Sequence, residues 1–167
     1  MQIRDAVIGD LPRIVEIYNA AIPGRMATAD TAAITVASRE AWFAEHAGNR
    51  PLWVAVQAQA KHEKIAGWLS FSSFYGRPAY HATAELSIYV APEFQRGGIA
   101  RSLLARALAE APRYGVKTLL GFIFAHNTPS SALFQRAGFV VWGHLPRVAE
   151  LDRIERDLLI LGLRLKD

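Results

Sequence analysis

Two adjacent glycines, Gly97 and Gly98, mark the clearest chemical site in the sequence, within the run Gln95-Arg96-Gly97-Gly98-Ile99-Ala100. An apolar stretch, 84–90, precedes this run, and an amphipathic stretch, 101–108, follows it. A helix that begins at glycines leaves several backbone N–H groups unpaired and uncovered by side chains. Together with the positive end of the helix dipole, these donors favour a bound anion, most naturally a phosphate. A plain turn, in which glycine only permits the backbone geometry, is the alternative.

Glu85 is the residue whose type and position point to acid–base chemistry. Strand alternation puts Glu85, Ser87 and Tyr89 on one face of an otherwise apolar stretch. A carboxylate in such a stretch is unfavourable unless it is solvated, paired or used. Burial would raise its pKa, so that it could accept a proton directly or through a water molecule. Pairing with a nearby Arg or His is the alternative.

Arg77, Tyr75 and Tyr80 precede the Glu85 strand and form a candidate substrate-binding group. A guanidinium binds a carboxylate or phosphinate through two parallel hydrogen bonds. An exposed Gly-Arg-Pro turn with solvated aromatic rings is the alternative. The sequence contains no cysteine, and no spacing of His, Asp or Glu predicts a metal site.

The composition predicts one domain over residues 1–167, with enough apolar residues for a sizeable core. The net charge of +4 comes from scattered cations, which argues against a nucleic-acid partner. No apolar run reaches the roughly 20 residues needed to cross a bilayer, so no membrane partner is expected. No apolar segment follows the charges at the N-terminus, so a cytoplasmic location is the expectation.

The elements that must position these residues follow from the hydrophobic pattern. The pattern predicts strands at 3–6, 52–56, 65–74, 82–90, 118–125, 139–145 and about 155–165. It predicts a helix capped by Asp10 and ended by Pro23-Gly24, one capped by Ser38, and two more at 98–111 and 129–137. The polar stretch 57–64 is expected to be a loop. The apolar run at 118–125 is typical of a strand buried on both faces and parallel to a neighbour, so the fold class is α+β with a mixed sheet.

Two common nucleotide-binding devices do not fit this glycine turn. A P-loop needs Gly-x-x-x-x-Gly-Lys-Ser/Thr, which is absent from the chain. A dinucleotide fold needs Gly-x-Gly-x-x-Gly after the first strand and an acidic residue at the end of the next strand. Here the turn follows a later strand and the next strand ends in His126-Asn127.

The turn resembles the pyrophosphate loop of the GNAT acetyltransferases, Gln/Arg-x-x-Gly-x-Gly/Ala, at Gln95, Gly98 and Ala100. The stretch from Asn127 to Phe139 is similar to that family's Asn-x-x-Ser/Ala-x-x-Leu-(Tyr/Phe/His)-x-x-x-Gly-Phe, and residues 3–19 resemble its N-terminus. The resemblance implies a GNAT fold, with a mixed and mostly antiparallel twisted sheet flanked by helices. It also implies that one parallel strand–helix–strand unit binds acetyl-CoA as the acyl donor, without a metal.

The resemblance further implies residue roles. The pyrophosphate would lie on the N–H groups of the turn, and Arg101 is either its ligand or a solvated surface residue. The pantetheine arm would run along the Glu85 strand, with the Ile88 N–H polarising the thioester carbonyl. Asn127 would contact the cofactor or, alternatively, only start a turn. The implied cofactor-binding residues are Ser87, Ile88, Tyr89, Val90, Gln95, Arg96, Gly97, Gly98, Ile99, Ala100, Arg101, Ser102, Asn127, Ser130 and Phe134.

Within the family, the chain looks most like the phosphinothricin and methionine-sulfone acetyltransferases, through 17–20, Arg39-x-x-Trp42-Phe43, Arg77-Pro78 and 85–90. This likeness implies a small amino-acid-like amine acceptor that attacks directly, with Glu85 as the catalytic base. It also implies a homodimer, for which Leu158 to Leu161 are candidate contacts. Phe134 and the segment 150–157 depart from the pattern, since Phe134 carries no proton to donate. A protein or peptide N-acetyltransferase and a non-catalytic acyl-CoA sensor are the alternatives.

Overall fold

The structure of the protein is a computed structural model, and it describes residues 1–59 and 62–166. These residues form seven strands and four α-helices, joined by short 3-10 turns. The elements are β1 (Gln2–Asp5), α1 (Leu11–Ala21), α2 (Glu40–Ala44), β2 (Leu52–Gln59), β3 (His62–Ser73), β4 (Thr83–Val90), α3 (Ile99–Glu110), β5 (Thr118–Phe124), α4 (Thr128–Arg136), β6 (Val140–Leu151) and β7 (Ile154–Arg164). In this part of the chain, no helix has both the length and the apolar character to cross a membrane.

All seven strands belong to one sheet, in the order β1-β2-β3-β4-β5-β7-β6. Its neighbours are antiparallel, except that β4 and β5 run parallel with α3 as their crossover. A parallel pair needs such a crossover because a tight turn can only reverse the chain. The predicted α+β class, with a mixed and mostly antiparallel sheet, is therefore confirmed.

The two faces of the sheet carry separate apolar cores because side chains alternate along each strand. On one face α3 and α4 cover a cluster that includes Leu69, Phe71 and Leu86. On the other face α1 and the residues around α2 cover Val54 and Trp68. Glu85 pairs with Ser72 of β3, so its side chain belongs to the face of α1 and α2.

The strands β4 and β5 are paired over only a short length. Their ladder joins Thr83, Ala84 and Glu85 to residues 118–120 and then stops. Beyond Glu85, β4 stays paired with β3 as far as Val90, whereas β5 stays paired with β7 as far as Phe124. The two strands therefore separate, and residues 86–90 have no β5 partner in the described ladder.

Several local predictions need correction. Asp10 stands at the N-cap of α1, but its carboxylate accepts hydrogen bonds from the Val7 N–H and from Arg4 instead of a helix N–H. Ser38 does not cap α2: a 3-10 turn at Ala37–Arg39 comes first, and the Ser38 hydroxyl donates to the Thr35 carbonyl. The expected polar loop 57–64 is mostly strand, because β2 continues to Gln59 and β3 begins at His62; residues 60 and 61 lie outside the described residues.

The C-terminal hairpin of β6 and β7 extends further than predicted. β6 continues through Pro146 to Leu151, with a register irregularity between Leu145 and Ala149 that absorbs the proline. β7 lies between β5 and β6, where Leu161 is buried and residues 158–160 are only partly exposed. Of the expected dimer contacts at 158–161, Leu161 is buried within the protein, whereas residues 158–160 stay partly accessible and their role in a dimer remains a prediction.

Gly121 of β5 is packed against the ring of Phe134 from α4, and this contact generates a stability prediction. A Cβ at Gly121 would lie 2.7 Å from a ring carbon of Phe134. We expect Gly121→Ala to lower the free energy of unfolding by about 1–3 kcal/mol, because overpacking strains a dense core. Gly9→Ala is the matched control, since its Cβ would meet no atom within 4 Å. Urea unfolding measures both, and equal midpoints for the two variants would contradict the packing argument.

Candidate active site

The glycine turn leaves a row of backbone donors unused. Arg96 and Gly98 adopt positive φ angles of 62° and 78°, and α3 begins directly after them. The first backbone bond of the helix runs from the Ser102 N–H to the Gly98 carbonyl. Among the described residues, none accepts a hydrogen bond from the N–H groups of residues 96–101. The turn is exposed and unobstructed, so it can hold an anion such as a phosphate group.

The open edge of β4 leads from this turn to Glu85. Residues 86–90 follow Glu85 directly, and the glycine turn comes shortly after Val90. An extended ligand bound by main-chain hydrogen bonds could lie in the gap between β4 and β5, as an added strand does. Ser87, Ile88 and Val90, which are predicted to bind the acyl donor, all lie along this edge. The structure thus brings the turn, the edge and Glu85 into one continuous path.

Glu85 is half-buried at the last paired position of β4 and β5. Its carboxylate forms no hydrogen bond or ion pair with any described residue, so the alternative of a structural pair with Arg or His is not observed. Burial raises the pKa of the Glu85 carboxyl above its usual range. A carboxyl with a raised pKa and no fixed partner is suited to accept a proton from a bound amine.

Two aromatic rings lie near Glu85 in the sheet. Phe74 follows the end of β3, Phe122 lies on β5, and their ring centroids are 6.5 Å apart in a stacked arrangement. Phe74 follows the last paired residue of β3, towards the start of β4, whereas Phe122 lies two residues beyond Leu120, the β5 partner of Glu85. The ring pair therefore lies diagonally across the register position of Glu85.

Two of the three predicted substrate-binding residues contact this ring pair. Tyr75 and Tyr80 pack against Phe74, with ring centroids 4.4 Å and 5.3 Å from it. Arg77 stands between them on the exposed connection from β3 to β4, and no ion pair or hydrogen bond to a described residue engages its side chain. The structure thus groups the two tyrosines around Phe74, and the guanidinium of Arg77 is available on the same connection.

A cavity of about 150 Å³ opens on the face of α1 and α2. Ser72, the cross-strand neighbour of Glu85, and Ser87, two residues along β4, both line it, so the cavity adjoins Glu85. Sequence reasoning missed Arg39, Ser70 and Ser72, although the alternating serines of β3 on an apolar strand were a usable signal. The lining residues are Ile14, Val15, Tyr18, Ile34, Arg39, Trp42, Trp68, Ser70, Ser72, Ser87 and Tyr89.

The connection from α1 to α2 crosses the gap between β4 and β5, and we call its segment 25–28 the strap. Three side chains each donate to one consecutive strap carbonyl. His126 Nε2 donates to Arg25 O over 2.8 Å, Asn127 Nδ2 to Met26 O over 3.0 Å, and the Tyr89 hydroxyl to Ala27 O over 3.0 Å. The strap is thereby fixed to the end of β5 and to the end of β4.

Tyr89, Asn127 and Ser130 therefore have structural partners of their own. The ring of Tyr89 stacks on Trp68, and burial raises the pKa of its hydroxyl. The Asn127 side-chain oxygen accepts from the Ser130 N–H and caps α4, so both polar ends of this amide bind protein. In this structure Asn127 fulfils the turn-forming role.

Phe134 of α4, which is predicted to contact acetyl-CoA, lies in the core. It is 5% exposed, and its ring packs against Gly121 and, at a centroid distance of 4.9 Å, against Phe139. No hydroxyl stands at this position to protonate a leaving group. In the described part of the chain, no cluster of three or more Asp, Glu or His side chains is arranged to hold a metal ion.

Comparison with known proteins places this geometry in context. The chain matches the Acetyltransferase (GNAT) family over residues 12–139. It is 46% identical to a Bacillus subtilis (strain 168) protein, provisionally named phosphinothricin acetyltransferase YwnH, over 99% of both chains. It is 30% identical to an L-methionine sulfoximine/L-methionine sulfone acetyltransferase of Pseudomonas paraeruginosa, over 98% of this chain and 94% of that protein.

A solved structure agrees with the fold. The crystal structure of a GNAT superfamily phosphinothricin acetyltransferase from Sinorhizobium meliloti, in complex with acetyl-CoA, superposes with a TM-score of 0.91. The two sequences are 27% identical, and the match covers 98% of this chain and 88% of that one. The expected GNAT fold is confirmed by these likenesses.

The burial of Glu85 predicts how stability depends on pH. Its folded pKa is raised, so the contribution of Glu85 to the free energy of unfolding is greatest below the ordinary carboxyl pKa and is lost as the pH rises through the raised value. We therefore expect Glu85→Gln to match the wild type below about pH 4 and to be more stable at neutral pH. Urea unfolding at a series of pH values measures the difference.

Glu93 provides a control of opposite sign. Lys64 and Arg13 lower the pKa of its carboxyl to about 2. Its contribution to stability is present above the ordinary carboxyl pKa and is lost as the pH falls through the lowered one. Glu93→Gln should therefore be less stable than the wild type at neutral pH. If Glu85→Gln showed the same sign, the carboxyl of Glu85 would not be desolvated.

Proposed function

Because the chain belongs to the acetyltransferase (GNAT) family, we propose that it transfers the acetyl group of acetyl-CoA to the primary amine of a small, amino-acid-like acceptor. It is an acetyl-CoA-dependent N-acetyltransferase. Relatives named for phosphinothricin and for methionine sulfoximine or sulfone support acceptors of that type. The observation that carries the proposal is the unpaired, half-buried carboxylate of Glu85 at the point where β4 and β5 separate.

The glycine turn and the open edge of β4 are the proposed donor site. The free N–H groups of residues 96–101 suit the pyrophosphate of acetyl-CoA, and Arg96 and Arg101 are close enough in the chain to add positive charge. The unpaired edge 86–90 suits the extended pantetheine arm, which carries amide groups. We assign to the Ile88 N–H the polarisation of the thioester carbonyl, since it lies on this edge beyond Glu85.

Glu85 is the proposed general base. An alkylammonium group has a pKa near 10, so the acceptor must lose a proton before its nitrogen can attack. Glu85 takes that proton, directly or through a water molecule, as the C–N bond forms at the acetyl carbon. The C–S bond then breaks and the thiolate leaves unprotonated, which its modest pKa allows. Phe134 supports this last point because its ring has no proton to donate.

Two alternatives are less well supported. A protein or peptide acceptor needs an open groove, whereas the cavity beside Glu85 is small and is lined by residues of α1, α2, β3 and β4. A non-catalytic acyl-CoA sensor has no use for an unpaired, desolvated carboxylate at the separation of β4 and β5.

Arg77 is proposed to bind the acceptor's α-carboxylate, since its guanidinium is exposed and unengaged on the connection from β3 to β4.

Two variants test whether Glu85 acts in the reaction and the glycine turn acts in binding acetyl-CoA. We expect Glu85→Gln to lower the rate of acetyl transfer about tenfold or more while acetyl-CoA still binds, because only the proton acceptor is lost. Gly98→Ala should give the opposite pattern, with about tenfold weaker acetyl-CoA binding, since a side chain is strained at its φ of 78° and covers the anion site. Thiol release with a panel of amino acids, and calorimetry with acetyl-CoA, measure these effects. Wild-type turnover in Glu85→Gln would remove Glu85 from the mechanism.

We also propose a homodimer formed through β6. This strand is one of the two edges of the described sheet, and it exposes a group of large apolar side chains. Exposed apolar patches on an edge strand are typical of interaction surfaces. The exposed residues of this surface are Val140, Val141, Trp142, Leu145 and Val148, with Ile154 across the turn.

A charge within this surface tests the dimer. We expect Val148→Asp to convert the dimer to a monomer, because burying an unpaired carboxylate in the contact is unfavourable. Val36→Asp, at an exposed apolar residue outside β6, should leave the dimer intact. Light scattering over a range of concentrations distinguishes the two states. A monomeric wild-type protein would refute the proposal.

A further inference from the structure

Arg39 is the charged residue among those that line the cavity beside Glu85. Its guanidinium carbon lies 5.2 Å from the ring centroid of Tyr18 and 5.6 Å from that of Trp42, so the cation is held against two aromatic faces. The side chain is 30% exposed. Cation–π contacts of this kind fix the position of a guanidinium without using its N–H donors.

Those donors form no hydrogen bond with a described residue. Arg39 has an ion pair with Asp30, but Asp30 Oδ2 lies 3.6 Å from Arg39 Nη2, which is beyond hydrogen-bond distance. The same oxygen instead accepts a hydrogen bond from the Tyr18 hydroxyl. A half-buried guanidinium with unused donors is stabilised when a ligand supplies acceptors.

The remaining lining of the cavity suits the same kind of ligand. Among its described lining residues Arg39 alone carries a charge, and Ser70, Ser72 and Ser87 add hydroxyl groups. The aromatic and aliphatic side chains around them can contact methylene groups. The cavity therefore favours a short aliphatic chain that ends in an oxygen-bearing group with neutral or negative charge.

We propose that Arg39 is a specificity-determining residue that binds the far end of the acceptor's side chain. This inference rests on the proposed function. With the amine at Glu85, the acceptor's side chain extends into the cavity past Ser72 and Ser87. The guanidinium then donates two parallel hydrogen bonds to a pair of oxygens on one sulfur, phosphorus or carboxylate carbon. The enzyme thereby selects sulfone, phosphinate or acidic side chains over apolar ones of equal length.

L-Methionine sulfone and L-methionine form the test pair, because they share the amine, the α-carboxylate and the chain length and differ in the two sulfonyl oxygens. Contacts of Arg77 with the α-carboxylate are therefore the same for both. We expect the wild type to prefer the sulfone in kcat/KM. Arg39→Met should reduce this preference about tenfold or more, mainly by raising KM for the sulfone, since hydrogen bonds from a charged donor are lost. Arg39→Lys keeps the charge but cannot donate two parallel hydrogen bonds, so its preference for the sulfone should lie between those of the wild type and Arg39→Met.

Arg113→Met is the matched control, because this arginine is 75% exposed on the surface and does not line the cavity. The sulfone-to-methionine ratio does not depend on the fraction of folded enzyme, so a destabilised variant still gives a valid answer. An unchanged ratio in Arg39→Met would overturn the inference while acetyl transfer upheld the proposed function. A wild type that acetylates neither these compounds nor any other amino acid of the panel would overturn both.

Discussion

The separation of β4 from β5 after Glu85 is the constraint on which the site depends. Each strand keeps its other neighbour, β3 or β7, so the sheet stays intact while its middle opens. The opening exposes the main-chain edge of β4 and leaves Glu85 at the last paired position. The glycine turn follows directly because the same strand leads into α3. One interrupted ladder thus supplies the open edge, the position of the proposed base and the path to the glycine turn.

The two sides of this opening are built from different kinds of interaction. On the side of α3, free backbone N–H groups form the proposed site for acetyl-CoA, and they depend on turn geometry more than on particular side chains. On the side of α1 and α2, side chains form the proposed acceptor site: Arg39 against its rings, the serines of β3 and β4, and the Phe74–Phe122 pair. A main-chain site tolerates sequence change, whereas a side-chain site is altered by single substitutions. The acceptor side is therefore the part of this fold that can most easily acquire a new specificity.

The sequence predicts the backbone framework well because strand alternation and helix periodicity are local. The apolar run at 118–125 indicated the parallel strand, and Gly97-Gly98 indicated the turn with unpaired N–H groups before α3. Arg39 and Ser70 could not be placed in a shared cavity, because the contact depends on how α1 and α2 pack on β3. Asp10 stands at the predicted N-cap of α1, but its carboxylate does not bind a helix N–H, because Arg4 on β1 binds it instead. Hydrogen bonds from His126 and Asn127 to strap carbonyls leave no local pattern at all.

The strap has a consequence for the order in which the protein folds. Its bonds join residues far apart in the chain: Arg25 contacts His126 and Asp152, at separations of 101 and 127 residues, and Ala27 contacts Tyr89 across 62. Contacts of such separation close large loops, and their entropy cost must be met before they stabilise anything. The strap is encoded near the N-terminus, yet its hydrogen bonds can form only once β4, the end of β5 and the β6–β7 turn are in place. During synthesis, the chain therefore cannot fix the strap until the residues up to Asp152 have been made.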